Sequence, residues 1–184
     1  MRRTARPMNR ERLLASKNVF TGQAVTLRID TVEKAAGNTA TREIVEHRDC
    51  IAVVVLDHEN NIIMVRQFRR PAGKMLLEIP AGGVEDGEGL EDCVRRELQE
   101  ETGYLPETVV RLGGFYAAPG YCTEYMHIFL ATNLIESHLT AEDTDEIEVV
   151  RVPVADIIGM INNGEICDAK SVAGLLQYIM NARR

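Results

Sequence analysis

The sequence predicts an α+β fold in which a mixed sheet is sandwiched between helices, with a small antiparallel sheet ahead of it. Three observations carry that expectation. Apolar and β-branched runs of strand length recur from residue 18 onward. One acid-rich helix sits in the middle of the chain, between two groups of strands. Two helical patterns close the chain. At 184 residues, one main domain would bury about 70% of its unfolded surface, so no disulfide or structural metal is required.

Residues 1–17, MRRTARPMNRERLLASK, are basic and polar and read as a flexible N-terminus. They lack the apolar centre of a secretory signal, and no stretch approaches twenty apolar residues, which points to a cytoplasmic protein with no membrane partner. Residues 18–47 are β-like, and Gly37-Asn38 punctuates a turn within them, so they read as a β-hairpin or small antiparallel sheet. Residues 48–184 form the main domain. It opens with Ile51–Leu56 (IAVVVL), a near-continuous apolar run of the kind a strand carries when both of its faces are covered. The chain turns at His58-Glu59-Asn60-Asn61 and returns over Ile62–Phe68. Leu76–Pro80 is a further short strand.

Beyond the central helix, Val109–Tyr116 and Tyr125–Ala131 read as strands separated by a turn at Ala117–Tyr121, and Ile147–Val152 as another. Val154–Asn162 and Ser171–Met180 finish as helices. In the second, Val172, Leu175, Leu176 and Ile179 recur at helical spacing, a packing stripe.

A net charge of −7 disfavours a protein whose main task is binding a nucleic-acid backbone, which needs a basic footprint. A small anionic substrate remains compatible where the charge is locally inverted, as at Arg66, Arg69 and Arg70 in RQFRRP. Those arginines read either as a charge device that protects an edge strand or as a diphosphate clamp, since guanidinium forks match phosphate oxygens in pairs. The four cysteines, Cys50, Cys93, Cys122 and Cys167, are far apart and form no CxxC, which suits reduced thiols.

The most informative stretch is Gly82–Tyr104, GGVEDGEGLEDCVRRELQEETGY. Two glycines permit a tight turn, a helix follows, and Gly103 stops it. Glu97, Glu100 and Glu101 are spaced i, i+3 and i+4 and so stand together on neighbouring turns. Leu90, Val94 and Leu98 form an apolar stripe, and at about 100° per residue Glu97 and Glu101 fall on its edge and point partly inward. A solvated acidic face tied down by Arg96 and Glu100 is the ordinary alternative. Magnitudes weigh against it. An i, i+4 ion pair stabilises by roughly 0.2–0.5 kcal/mol, whereas two carboxylates about 4 Å apart repel by about 4 kcal/mol at an effective dielectric of about 20. Clustered oxygens with one edge toward the protein suit a hard divalent cation.

Gly82, five residues, Glu88, seven residues, then Arg96-Glu97-Leu98-Gln99-Glu100-Glu101-Thr102-Gly103-Tyr104 resembles the Nudix box at every specified position. The resemblance implies an α/β/α sandwich and hydrolysis of a nucleoside diphosphate linked to another moiety, with two or three Mg²⁺ or Mn²⁺ ions per site. Outside the box, RQFRRP ahead of LEIPAG, REIVEH at Arg42–His47, and Pro119 resemble the ADP-ribose pyrophosphatase branch, over roughly Asn18 to Leu176.

That branch resemblance implies roles residue by residue. Glu97, Glu100 and Glu101, with the Ala81 carbonyl, would hold the metals. Arg96 would orient the glutamates, and Glu88 would support them from within the same helix. Arg69 would hold the diphosphate. Phe20 and Arg42 would reach the adenine and the adjacent phosphate or ribose from a second subunit, which implies a homodimer, and Pro119 marks the substrate site. The substrate would be a nucleotide sugar, with AMP and ribose 5-phosphate as the products from ADP-ribose. The branch also places a glutamate in an acidic loop before the strand at Ile147. Here that loop reads Glu142-Asp143-Thr144-Asp145-Glu146. A gap-free match selects Asp143 and Asp145, a one-residue shift Glu142 and Glu146, and Asp145 and Glu146 are favoured as catalytic candidates. Two other functions compete: a pyrophosphohydrolase for nucleoside triphosphates, and a non-catalytic ADP-ribose-binding regulator.

Overall fold

A computed structural model describes residues 11–140 and 147–182. The chain divides into two compact units. One comprises the N-terminal residues through His47 together with Ala118–Glu124; the other comprises Arg48–Ala117 and the chain from Tyr125 onward.

The smaller unit is a three-stranded antiparallel sheet of β1 (Arg12–Thr21), β2 (Thr26–Glu33) and β3 (Thr39–Glu46), in that order. Gly37, at φ 83°, makes the turn into β3, as Gly37-Asn38 suggested. Val45 exchanges backbone hydrogen bonds with residues 121 and 123, which ties the 118–124 segment to β3. The small antiparallel sheet expected ahead of the main domain is present, with three strands. One expectation is corrected here: its first strand starts at Arg12, within the stretch expected to be flexible to residue 17. All ten residues of β1 are exposed, so their order comes from the ladder to β2 and not from burial. Composition cannot report such a strand, because nothing in it alternates between core and solvent.

The larger unit holds a mixed sheet of β4 (Cys50–Leu56), β5 (Asn61–Arg69), β6 (Lys74–Glu78), β7 (Ala81–Gly83), β8 (Tyr104–Tyr116), β9 (Tyr125–Glu136) and β10 (Glu148–Pro153). Its path runs β10-β5-β4-β9-β8, with β6 on β5 and β7 on β4. The β4–β9 pair is parallel and the others are antiparallel. Strand β4 shows why IAVVVL is apolar throughout. Ile51, Val53 and Val55 pack with Cys93, Val94 and Leu98 of α1 (Leu90–Glu101). Ala52 and Val54 pack on the opposite face with Ile157 of α2 (Ile157–Asn163) and Leu175 of α3 (Ala169–Ala182). Both faces are covered, which makes the unit an α/β/α sandwich. Gly174 lets α3 approach closely, since a β-carbon there would stand 2.9 Å from Ile79 Cδ1. Strand β8 begins at Tyr104, five residues earlier than expected, because Pro106 is tolerated on a strand at the edge of the sheet. Among the described residues no helix is long and apolar enough to cross a membrane.

Candidate active site

Strand β7 and helix α1 build the site. The helix starts at Leu90 with acidic Glu91 and Asp92 in its first turn, where the helix dipole favours negative charge. It ends where Gly103 takes φ 75°. Its last two turns carry the three glutamates, with buried Leu98 holding that stretch against the sheet. Glu88 does not lie in this helix, contrary to expectation. It sits in the preceding turn, where Gly87 takes φ 81° and the Glu88 backbone N–H donates to the Glu85 carbonyl at 3.0 Å. A glycine with positive φ ends the turn and delays the helix.

Arg96 joins the carboxylates. Its Nε and Nη2 donate to the two oxygens of Glu88 at 2.8 and 3.0 Å, and its Nη1 donates to Glu97 at 2.8 Å and Glu100 at 3.3 Å. Nη2 also reaches the Gly83 carbonyl at 3.2 Å. The fork on Glu88 is the main reason that its carboxyl is held down at about 2, and the same hydrogen bond raises Arg96. A guanidinium so placed fixes three side chains and the β7 backbone as one rigid group.

Glu101 is treated differently. Among the described residues its one hydrogen bond comes from the Ala81 backbone N–H, 3.1 Å from Oε2. Burial first, and then the charge of Glu97, push its carboxyl up to about 8. Glu97 is raised as well, by burial first, against the pull of Arg96. Gly82 completes the wall, because a β-carbon on it would collide with the Glu97 carboxylate. Two acids that resist ionisation together, a missing Cβ beside one of them and an all-oxygen donor set fit a hard divalent cation, which would supply the charge that the protein lacks there.

Arg69, at the end of β5, lies against Glu78, at the end of β6. Its Nε and Nη2 donate to the two oxygens of Glu78 at 2.9 and 2.6 Å. Lys170 of α3 pairs with Glu78 and also donates to Asp168 at 2.9 Å. Glu78 is 1% exposed. Burial would raise its carboxyl, and Arg69 and Lys170 overcome this and hold it below its ordinary value. Neither Glu78 nor Lys170 was singled out from the sequence. The visible signal was a glutamate inside the apolar run LLEIP, which no strand buries without a cation to meet it.

The structure therefore brings together Ala81, Arg96, Glu97, Glu100 and Glu101, with Arg69 on the strand pair that leads into β7. Phe20 on β1, Arg42 on β3 and Pro119 belong to the smaller unit. Phe20 is 57% exposed. Arg42 pairs with Glu11 and donates to the Thr41 carbonyl at 2.9 Å. Asp145 and Glu146, with Glu142 and Asp143, lie outside the described residues.

Comparison with known proteins converges on one family. A model of the NUDIX domain matches residues 46–175. The chain is 37% identical to an ADP-ribose pyrophosphatase of Bacillus subtilis (strain 168) over 171 residues, 92% of each chain. It is 36% identical, with the same coverage, to a methanol dehydrogenase activator of Bacillus methanolicus. A GDP-mannose pyrophosphatase of Yersinia enterocolitica is 35% identical over 74% of this chain and 76% of its own length. The fold matches a crystal structure of an ADP compounds hydrolase with a TM-score of 0.90 at 20% identity, covering 97% of both chains. The chain belongs to the Nudix hydrolase family, among relatives that include ADP-ribose pyrophosphatases.

Proposed function

We propose that the protein is a metal-dependent pyrophosphatase that splits the diphosphate linkage of nucleoside diphosphate sugars, with ADP-ribose, giving AMP and ribose 5-phosphate, as its principal substrate. The observation that carries this reading is the pair Glu97 and Glu101. They stand one turn apart on α1, both partly buried and with raised carboxyl pKa values, and only one of them is served by Arg96. Glu97, Glu100, Glu101 and the Ala81 carbonyl would hold Mg²⁺ or Mn²⁺. Bound there, the metal would neutralise phosphoryl oxygens and lower the pKa of a coordinated water.

The chain's own residues do the rest. Arg96 keeps Glu97 and Glu100 in place through 2.8 and 3.3 Å hydrogen bonds. Arg69 offers a guanidinium to the diphosphate. Water adds to one phosphorus, the bridging oxygen leaves on the other phosphate, and one of the acids at 142–146 takes the proton of the water. Phe20, Arg42 and Pro119 would bind the nucleoside end, with Phe20 and Arg42 entering from the second subunit of a homodimer. A 37% identity to an ADP-ribose pyrophosphatase over 92% of the chain supports the substrate class, and the similarity to a GDP-mannose pyrophosphatase makes both base and sugar the variable parts around a shared diphosphate.

Turnover of ADP-ribose, GDP-mannose and a nucleoside triphosphate, each with Mg²⁺ and each with EDTA, tests the reading when the products are identified by chromatography. AMP with ribose 5-phosphate, formed only with metal and fastest from ADP-ribose, is expected. Preferred release of pyrophosphate from the triphosphate would overturn it.

A further inference from the structure

A guanidinium has two edges that can grip an anion through paired N–H groups. In Arg69 the inner edge, Nε with Nη2, is taken by Glu78 at 2.9 and 2.6 Å. The terminal edge, Nη1 with the second Nη2 hydrogen, has no partner among the described residues, and the side chain is 39% exposed. Glu78 is itself gripped from behind by Lys170, whose side chain is 13% exposed and also bonded to Asp168. Asp168 in turn accepts the Ser171 N–H at 3.1 Å in the first turn of α3, and Ser171 Oγ accepts the Ile79 N–H at 2.9 Å. The end of β6 is thus pinned to the start of α3 by two independent attachments. Three residues beyond Glu78 is Ala81, whose N–H reaches Glu101.

A buried carboxylate with two cations is costly to assemble and strongly directional once made. Packing alone would be served better by an apolar residue at position 78. What the carboxylate adds is orientation. A free arginine side chain samples many rotamers, and each one immobilised on binding lowers affinity, whereas Arg69 is already held with one edge outward.

We propose that Glu78, which touches neither metal nor substrate, is a positioning residue for substrate binding. Its buried carboxylate, locked from α3 by Lys170, holds the inner edge of Arg69 so that the outer edge meets the diphosphate in one orientation. The proposal rests on the reading that Arg69 contacts a diphosphate.

Two measurements test it separately from that reading. In the substrate-free protein, the Arg69 Nε–H should give a sharp, slowly exchanging NMR resonance, identified by its loss in Arg69→Lys. Glu78→Gln should broaden or abolish it, and an unchanged resonance overturns the hold whatever the substrate is. In a kinetic cycle, Glu78→Gln should raise KM for ADP-ribose by about tenfold or more with kcat changed by less than about threefold, a loss of binding and not of chemistry. The same substitution made in Arg69→Ala should change KM by less than about twofold. An equal factor in both backgrounds overturns action through Arg69. Arg69→Ala with a wild-type KM overturns the diphosphate contact itself, and the NMR result then still decides the hold. Should Glu78→Gln fail to fold, Lys170→Gln keeps the carboxylate and removes its lock. It should broaden the same resonance and raise KM by about threefold, and wild-type values of both overturn the proposal.

Discussion

Gly82 and Glu97 occupy each other's space. The Glu97 carboxylate lies where a β-carbon on residue 82 would stand, so the absent side chain is what admits this acid to the β7 backbone. Gly82 is not at positive φ, so alanine is acceptable to the backbone there and only the end of the Glu97 side chain must move. Gly82→Ala should fold with a melting temperature within a few degrees of wild type, yet lose kcat by about a hundredfold, on the scale of losing a preorganised electrostatic group. Thermal unfolding and steady-state kinetics on one preparation check this. Near-normal kcat would show that the position of Glu97 does not matter.

Glu101 predicts how metal and pH act together. In the metal-free protein its carboxyl is pushed to about 8 from an ordinary 4.5, by burial and then by Glu97. Across that window the folded state holds a proton that the unfolded state has lost, so the stability from neutral Glu101 is fully present below about 4.5 and disappears as pH rises through about 8. Glu88 has the opposite sign, because its carboxyl is depressed to about 2, but its effect ends by pH 4.5 and does not overlap. In EDTA the melting temperature should therefore fall from pH 6 to pH 9, and the rise produced by Mg²⁺ should grow over the same range as metal displaces the proton. Glu101→Gln should flatten both trends and lower kcat by at least about a hundredfold. Differential scanning calorimetry at several pH values measures the first pair of effects. A Mg²⁺ shift independent of pH would remove Glu101 from the metal site.

Strand β1 presents Leu13, Leu14, Val19 and Phe20 to solvent, each more than 40% exposed. If Phe20 stacks on the nucleobase in a partner's site, Phe20→Ala should raise KM for ADP-ribose while kcat at saturation changes little, since it removes stacking and not chemistry. Sedimentation velocity should show a dimer for the full chain and a monomer once residues 1–46 are removed. A fully active monomer after that truncation would contradict both the dimer and the shared site.

What was legible from sequence had a simple physical marker. The run IAVVVL announced a strand covered on both faces, and the spacing of Glu97, Glu100 and Glu101 placed three acids on one side of a helix. What was missed lacked such a marker or needed a partner distant in sequence. Exposed β1 has no buried face to set a period. The early part of β8 carries Pro106, which a strand accommodates here because it lies at the edge of the sheet. Glu78 looked like one acid in an apolar run until Arg69, nine residues away, and Lys170, ninety-two residues away, were found on it. Glu88 was read into the helix because helix propensity takes no account of the turn that Gly87 imposes.

The general base is the remaining assignment. Glu97 and Glu100 are engaged by Arg96 and Glu101 by Ala81, and all three are committed to metal in the proposed mechanism. We propose that the proton of the attacking water goes to one of the acids Glu142, Asp143, Asp145 and Glu146, which precede β10 in the sequence. A base must come within about 2.6–3.2 Å of its water or reach it through one more water, and the ordinary contribution of such a group is on the order of 10²–10⁴ in rate. One of Asp145→Asn and Glu146→Gln should lower kcat by that factor with KM nearly unchanged. Glu142→Gln and Asp143→Asn should each cost less than about tenfold. Measuring all four at saturating Mg²⁺ separates base from bystander, because a weakened metal site would recover as metal is raised and a missing base would not. If none of the four loses more than about tenfold, the base is not in this segment, and Glu100, which Arg96 holds at the longer 3.3 Å, becomes the group to substitute next.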